Sequence, residues 1–144
     1  MPEAPITDKP PVGIGHLALT VADVQASHAF YATLGLRTLG KDADLAILEL
    51  RGGTHLLLFQ RGGAAAGDET GSPFDQKPLD GVDLMIEGRT FEELDAYRTA
   101  LIAGGVAADP IPDQRFFGHY VFKAKDPDGN EVTVSTSHAS NHPV

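Results

Sequence analysis

The chain contains no cysteine. Disulfides, zinc–thiolate centres and cysteine nucleophiles are therefore excluded, and the redox compartment is left open. Basic residues are scarce too: 11 Lys and Arg stand against 20 Asp and Glu, a net charge of −9 over 144 residues. Without a basic face there is nothing to hold a phosphate backbone, so no nucleic-acid partner is expected, and the acidity serves solubility. No apolar run approaches the roughly 20 residues that cross a bilayer, so no membrane partner is expected. The first five residues, MPEAP, lack the basic-then-apolar order of a secretion signal. A cytoplasmic location is the default expectation. Gly62, Gly63, Gly67 and Gly71 have no strand–GxxxxGK–helix context and form no phosphate loop. The 42% hydrophobic content still suffices for a packed interior.

What the chain does have is repetition. Residues 14–21 alternate, with Leu17, Leu19 and Val21 on one side and His16, Ala18 and Thr20 on the other, the pattern of a strand with two different faces. Asp23 is placed to cap a helix carrying Val24, Phe30, Tyr31 and Leu34, which Gly35 stops. Residues 37–39, 45–50 and 54–59 then read as three strands, so 13–59 forms a βαβββ unit. The same order returns in 81–136. A strand at 82–87 precedes a capping box, Thr90 with Glu93, and a helical stripe of Leu94, Tyr97 and Leu101. Strands follow at 108–111, 116–125 and 131–136, the last two joined by the DPDG turn at 126–129. The ends and the middle are different in kind: a proline-bearing arm at 1–12, a Gly- and Pro-rich linker at 60–80 and a polar tail at 137–144. Self-similarity at this scale predicts an α+β chain of two βαβββ repeats.

Four stretches carry a family likeness: HLALTVADV at 16–24, FYATLGL at 30–36, FGHYVF at 117–122 and DPDGNEV at 126–132. Together they resemble the vicinal oxygen chelate superfamily, which includes glyoxalase I, the bleomycin-resistance proteins, the fosfomycin-resistance enzymes and the extradiol dioxygenases. The resemblance spans roughly residues 12–136. It implies two repeats curling into a mixed-sheet cup, with helices outside and one small molecule inside. It further implies self-association, with the cup built within one chain or across a homodimer. Alternation then turns His16, Ala18 and Thr20 into the cup, with His55, Leu57 and Phe59, with Asp83, Met85 and Glu87, and with Glu131, Thr133 and Ser135.

Metal-dependent members of that family place one ligand on each of four strands, for Fe, Mn, Ni or Zn. In this sequence the corresponding positions hold His16, Leu57, Asp83 and Thr133. Leucine cannot ligate and threonine is a poor donor for such ions. His16, His55, Asp83 and Glu131 make a chemically sound alternative set, but His55 and Glu131 each sit two residues, about 6.6 Å, from the position the resemblance assigns. A metal-free alternative joins His16 to Asp83 as a general base, the carboxylate fixing the imidazole tautomer.

Three functions follow from the resemblance. The chain binds a small aromatic or hydrophobic molecule, with Leu57, Phe59, Met85, Thr133, His55 and His119 lining the cup. Alternatively it is a divalent-metal-dependent lyase, isomerase or ring-cleaving dioxygenase with a non-standard ligand set. As a third reading it is a metal-free enzyme working through His16 and Asp83. Phe59, Phe116, Phe117, Tyr120 and Phe122 offer an aromatic wall, half of it expected in the core. Arg115 is a candidate anion anchor or a solvated residue.

Overall fold

In a computed structural model, residues 12–63 and 81–138 are described. The alternation of 14–21 becomes β1 (His16–Val21), and Leu19 and Val21 on its apolar side are 2% and 1% exposed. Asp23 caps α1 (Val24–Leu34), accepting from the backbone N–H of Gln25 at 3.0 Å and of Ala26 at 3.3 Å. Gly35 ends the helix at φ 114°, a conformation that costs a side-chain-bearing residue about 1 kcal/mol or more. The chain then makes β2 (Arg37–Lys41), β3 (Leu45–Glu49) and β4 (His55–Gln60). The first sheet runs β1-β4-β3-β2, with β1 parallel to β4 and the other pairs antiparallel. Gln60 ties the start of α1 to the end of β4: its Oε1 accepts from Val24 N at 2.9 Å and its Nε2 donates to Ala22 O at 2.7 Å.

The second unit repeats this plan in a reduced form. β5 (Asp83–Met85) leads into α2 (Phe91–Ala103), followed by β6 (Val121–Lys125) and β7 (Glu131–Ser135). The sheet order is β5-β7-β6, with β5 parallel to β7. The capping box forms as the sequence predicts, Thr90 Oγ1 accepting from Glu93 N at 3.1 Å while Glu93 Oε1 accepts from Thr90 N at 3.0 Å.

Two expected strands are corrected. Residues 108–111 supply only an isolated bridge between Ala108 and Ala124. Pro110 and Pro112 have no N–H to extend the ladder. Arg98 instead holds the two carbonyls at this point, from Nε to Asp109 O at 2.6 Å and from Nη2 to Ala108 O at 3.2 Å. The expected strand at 116–125 is broken by a two-residue turn, in which Phe117 and Gly118 have φ 52° and 84° between a Phe116–His119 bridge. Only Val121–Lys125 is strand. The expected linker at 60–80 begins as the end of β4 and a turn at 61–63, and its remainder lies outside the described residues.

One hydrophobic core serves both units. It joins Leu19, Val24, Tyr31, Leu48 and Leu58 of the first to Leu94, Leu101, Phe122 and Val134 of the second. Polar contacts sew the same seam. Tyr31 Oη donates to Asp126 Oδ2 at 3.1 Å and Tyr97 Oη donates to Leu34 O at 2.5 Å. Asp126, 5% exposed, also accepts from Asp128 N, Asn130 N and Asn130 Nδ2. The DPDG turn is thus a structural knot, with Gly129 at φ 85°. Burial first, and then the negative charge of Asp126, pushes the Tyr31 phenol far above its ordinary value.

Candidate functional site

With the helix-bearing faces of both sheets spent on the core, chemistry is left to their opposite faces. On the first sheet the registers align three rows across the strands. Ile47, Leu57 and Ala18 are cross-strand partners, and so are Leu45, Phe59 and Thr20. The third row, at the end near the 50–54 turn, is polar: Arg37 lies opposite Glu49, Glu49 opposite His55, and His55 opposite His16. Arg37 Nη2 is hydrogen-bonded to Glu49 Oε1, and His55 Nε2 lies 3.4 Å from Glu49 Oε2. The His55 and His16 rings meet edge to face, 5.7 Å between centroids. The guanidinium of Arg37 holds the Glu49 carboxyl below the usual carboxylate range, His55 adds to this, and desolvation opposes it.

The second sheet presents Asp83, Met85, Thr133 and Glu131 on its corresponding face. Asp83 is the cross-strand partner of Thr133 and accepts from Ser135 Oγ at 2.7 Å. Met85 lies opposite Ser135. Glu131 is drawn to the far end, where Lys123 Nζ approaches at 3.2 Å and Lys125 Nζ at 4.0 Å.

A cavity of about 440 Å³, within the usual range for a small-molecule site, opens where the units meet. Leu36, Leu50, Tyr97, Met85, Asp83 and Glu87 are among its walls. Arg51 clasps this junction, donating from Nη2 to Met85 O at 3.2 Å and lying 3.9 Å from Glu87.

The sequence-predicted residues therefore fall into two groups. His16, His55, Leu57 and Phe59 share one face of the first sheet, on which Leu57 and Phe59 are each only 9% exposed. Asp83, Met85, Thr133 and Glu131 share one face of the second. β1 and β5, the strands of His16 and Asp83, are edge strands of different sheets. Among the described residues, no group of three or more His, Asp or Glu side chains is arranged to hold a metal ion. His119 sits in the hairpin, its Nδ1 2.7 Å from Thr136 O and its ring 5.0 Å from that of His138. Of the expected aromatic wall, Phe122 is core at 1% exposure, Phe116 and Phe117 are exposed, and Tyr120 packs on Phe91 with Arg115 stacked over it at 5.1 Å. Arg37, Glu49 and Arg51 were not singled out from sequence. The signal for Glu49 was its alternation with Leu45 and Ile47, which puts it on their face.

A chain of two βαββ(β) units on two small mixed sheets, with one helix each, is of the glyoxalase fold. A family model described as the Glyoxalase/Bleomycin resistance protein/Dioxygenase superfamily matches residues 13–134, and the chain belongs to that superfamily. Among solved structures it is similar to a lactoylglutathione lyase from Agrobacterium tumefaciens, with 26% identity, 90% of this chain and 96% of that one covered, and a TM-score of 0.66. An integron cassette protein from the mobile metagenome of V. cholerae is similar at 25% identity, 90% and 98% coverage and a TM-score of 0.63. A glyoxylase/bleomycin resistance protein/dioxygenase domain from Frankia sp. EAN1pec is similar at 23% identity, 92% and 97% coverage and a TM-score of 0.63. Comparison with curated proteins gives no match. No helix among the described residues is long and apolar enough to cross a membrane.

Proposed function

We propose that this protein binds a small, mainly hydrophobic or aromatic organic molecule against the open face of its first sheet. The observation that carries this reading is the apolar wall of Ile47, Leu57, Ala18, Leu45 and Phe59 on that face. Leu57 occupies the place on the fourth strand where metal-dependent members of the family carry a donor. The residues of one chain do not fit the four-ligand metal group: Leu57 offers no donor, and Glu131 is paired with two lysines at the far end of its sheet.

The two sheets spend their helix-bearing faces on a common core, so a closed cup needs a second copy. In that arrangement the His16–Phe59 face of one chain meets the Asp83–Thr133 face of another, as a homodimer. Met85 and Thr133 then complete the wall from the far side, and His16 and Asp83 approach each other between chains rather than within one.

Similarity to a structure named as a lactoylglutathione lyase supports the second reading, a metal-dependent lyase or isomerase with an unusual ligand set. Two measurements separate the readings. Titration with 1-methylindole, an apolar flat probe, is expected to show saturable binding that Leu57→Asn abolishes while circular dichroism is unchanged. Elemental analysis of protein purified without chelator is expected to find no stoichiometric metal. One equivalent of Fe, Mn, Ni or Zn per site, with no indole binding, would replace the first reading by the second.

A further inference from the structure

Two histidines meet away from the first-sheet wall. His119 closes the 116–119 hairpin and His138 follows the end of β7, and their rings stand edge to face with 5.0 Å between centroids. Backbone contacts hold both in place. His119 Nδ1 lies 2.7 Å from Thr136 O. A carbonyl only accepts, so Nδ1 donates there and Nε2 is the nitrogen that can take an ion. Thr136, 1% exposed, is itself fixed: its N donates to Tyr120 O at 3.1 Å and its Oγ1 accepts from Tyr120 N at 3.2 Å. The chain leading into His138 is pinned by Ser137 N, which donates to Gly88 O at 2.8 Å. A ring N–H given to a backbone carbonyl is also the device that orients metal-ligating imidazoles.

The spacing of the rings agrees. An ion about 2.1 Å from an imidazole nitrogen lies about 3.2 Å from the ring centre, so two rings sharing one ion at about 90–109° stand about 4.5–5.2 Å apart. The chain has no cysteine to draw such an ion elsewhere. We propose that His119 and His138 form a two-imidazole site for a late first-row divalent ion, Cu(II) ahead of Ni(II) or Zn(II), with water in the remaining positions. The bound ion staples the segment after β7 to the 116–119 hairpin. His138 is exposed, so the ion reaches the pair from solvent. Mg(II) and Ca(II), which take oxygen donors, are not held.

The test adds Cu(II) in substoichiometric amounts to the untagged, isotope-labelled chain at pH 8 and follows the histidine ring signals by nuclear magnetic resonance. The paramagnetic ion broadens the rings that bind it. The signals of His119 and His138 are expected to broaden before those of every other histidine, and Mg(II) is expected to change neither. His138→Ala, at an exposed position, should weaken Cu(II) binding at least about tenfold by calorimetric titration, because loss of even an outer partner of a metal site costs about 10- to 100-fold. His119→Phe keeps a ring in the hairpin and should bring a loss of the same size. Broadening that begins at His16 and His55 would overturn the proposal. So would a copper centre on His138 that survives His119→Phe, an affinity unchanged in His138→Ala, or no broadening of either ring at one equivalent of copper.

Discussion

Replacing Tyr31 by phenylalanine removes one oxygen atom from the seam between the two units. That oxygen is buried, 3.1 Å from Asp126 Oδ2, on a residue 1% exposed. A hydrogen bond to a charged group contributes about 1.5–3 kcal/mol. Asp126 keeps three other donors, from Asp128 N, Asn130 N and Asn130 Nδ2, so the lower end applies. The expected loss is about 1.5–2 kcal/mol, or about 4–8 °C in Tm for a chain of this size. Urea unfolding should show a lower midpoint at unchanged slope. A double-mutant cycle with Asp126→Asn should return a coupling above about 0.5 kcal/mol, because the two groups touch. The pH dependence provides a second check. The phenol is raised in the folded state, so its contribution is complete below the ordinary value of 10.0 and is lost as pH rises above it. The Tyr31→Phe variant should therefore lose less stability between neutral pH and strongly alkaline solution than the wild type. A loss below about 0.5 kcal/mol, together with an unaltered alkaline limb, would refute the idea that this contact fastens the units.

Ser27 Oγ is fully buried with no hydrogen-bond partner among the described residues, so Ser27→Ala should raise stability by about 1 kcal/mol in the same urea assay. Phe117 holds a positive φ of 52° with its ring fully exposed, and Phe117→Asn is expected to gain about 0.5–1 kcal/mol, read as a higher Tm. Thr90→Ala removes the capping box of α2 and should cost about 1 kcal/mol by thermal denaturation. Glu49 is depressed by Arg37, so the stability of that pair is present above the ordinary carboxylate value of 4.5 and fades as pH falls below it. Acid titration followed by circular dichroism should therefore show a shallower decline for Glu49→Gln than for the wild type.

Local signals in the chain were highly legible. Asp23, Gly35, Thr90 and Glu93 act at short range, and each does in the structure what its chemistry dictates at that spacing. The alternation of 16–21 reappears in the burial of Leu19 and Val21, because a period of two leaves no freedom once one face is buried. The failures lie where local preference meets a second constraint. The 108–111 segment looks extended, but Pro110 and Pro112 withhold donors that a ladder requires. The aromatic run at 116–122 alternates on paper, yet Gly118 adopts a positive φ and folds it into a hairpin. The association of His16 with Asp83 came from the repeat symmetry. Symmetry relates the two sheets without stating which faces they turn toward each other. Glu49 was hidden by distance: its partners, Arg37 and His55, are 12 and 6 positions away and become neighbours only through the β2-β3-β4 register.

Helix α1 is held on one side by its own sheet and on the other by the Asp126 knot of the opposite repeat. Neither half of the chain therefore possesses a finished interior. Cut between Gly63 and Gly81, the two fragments should each remain largely disordered alone and gain structure only when mixed. On that outcome the duplication visible in the sequence would be one that no longer divides where it was joined, two copies of one motif sharing a single interior.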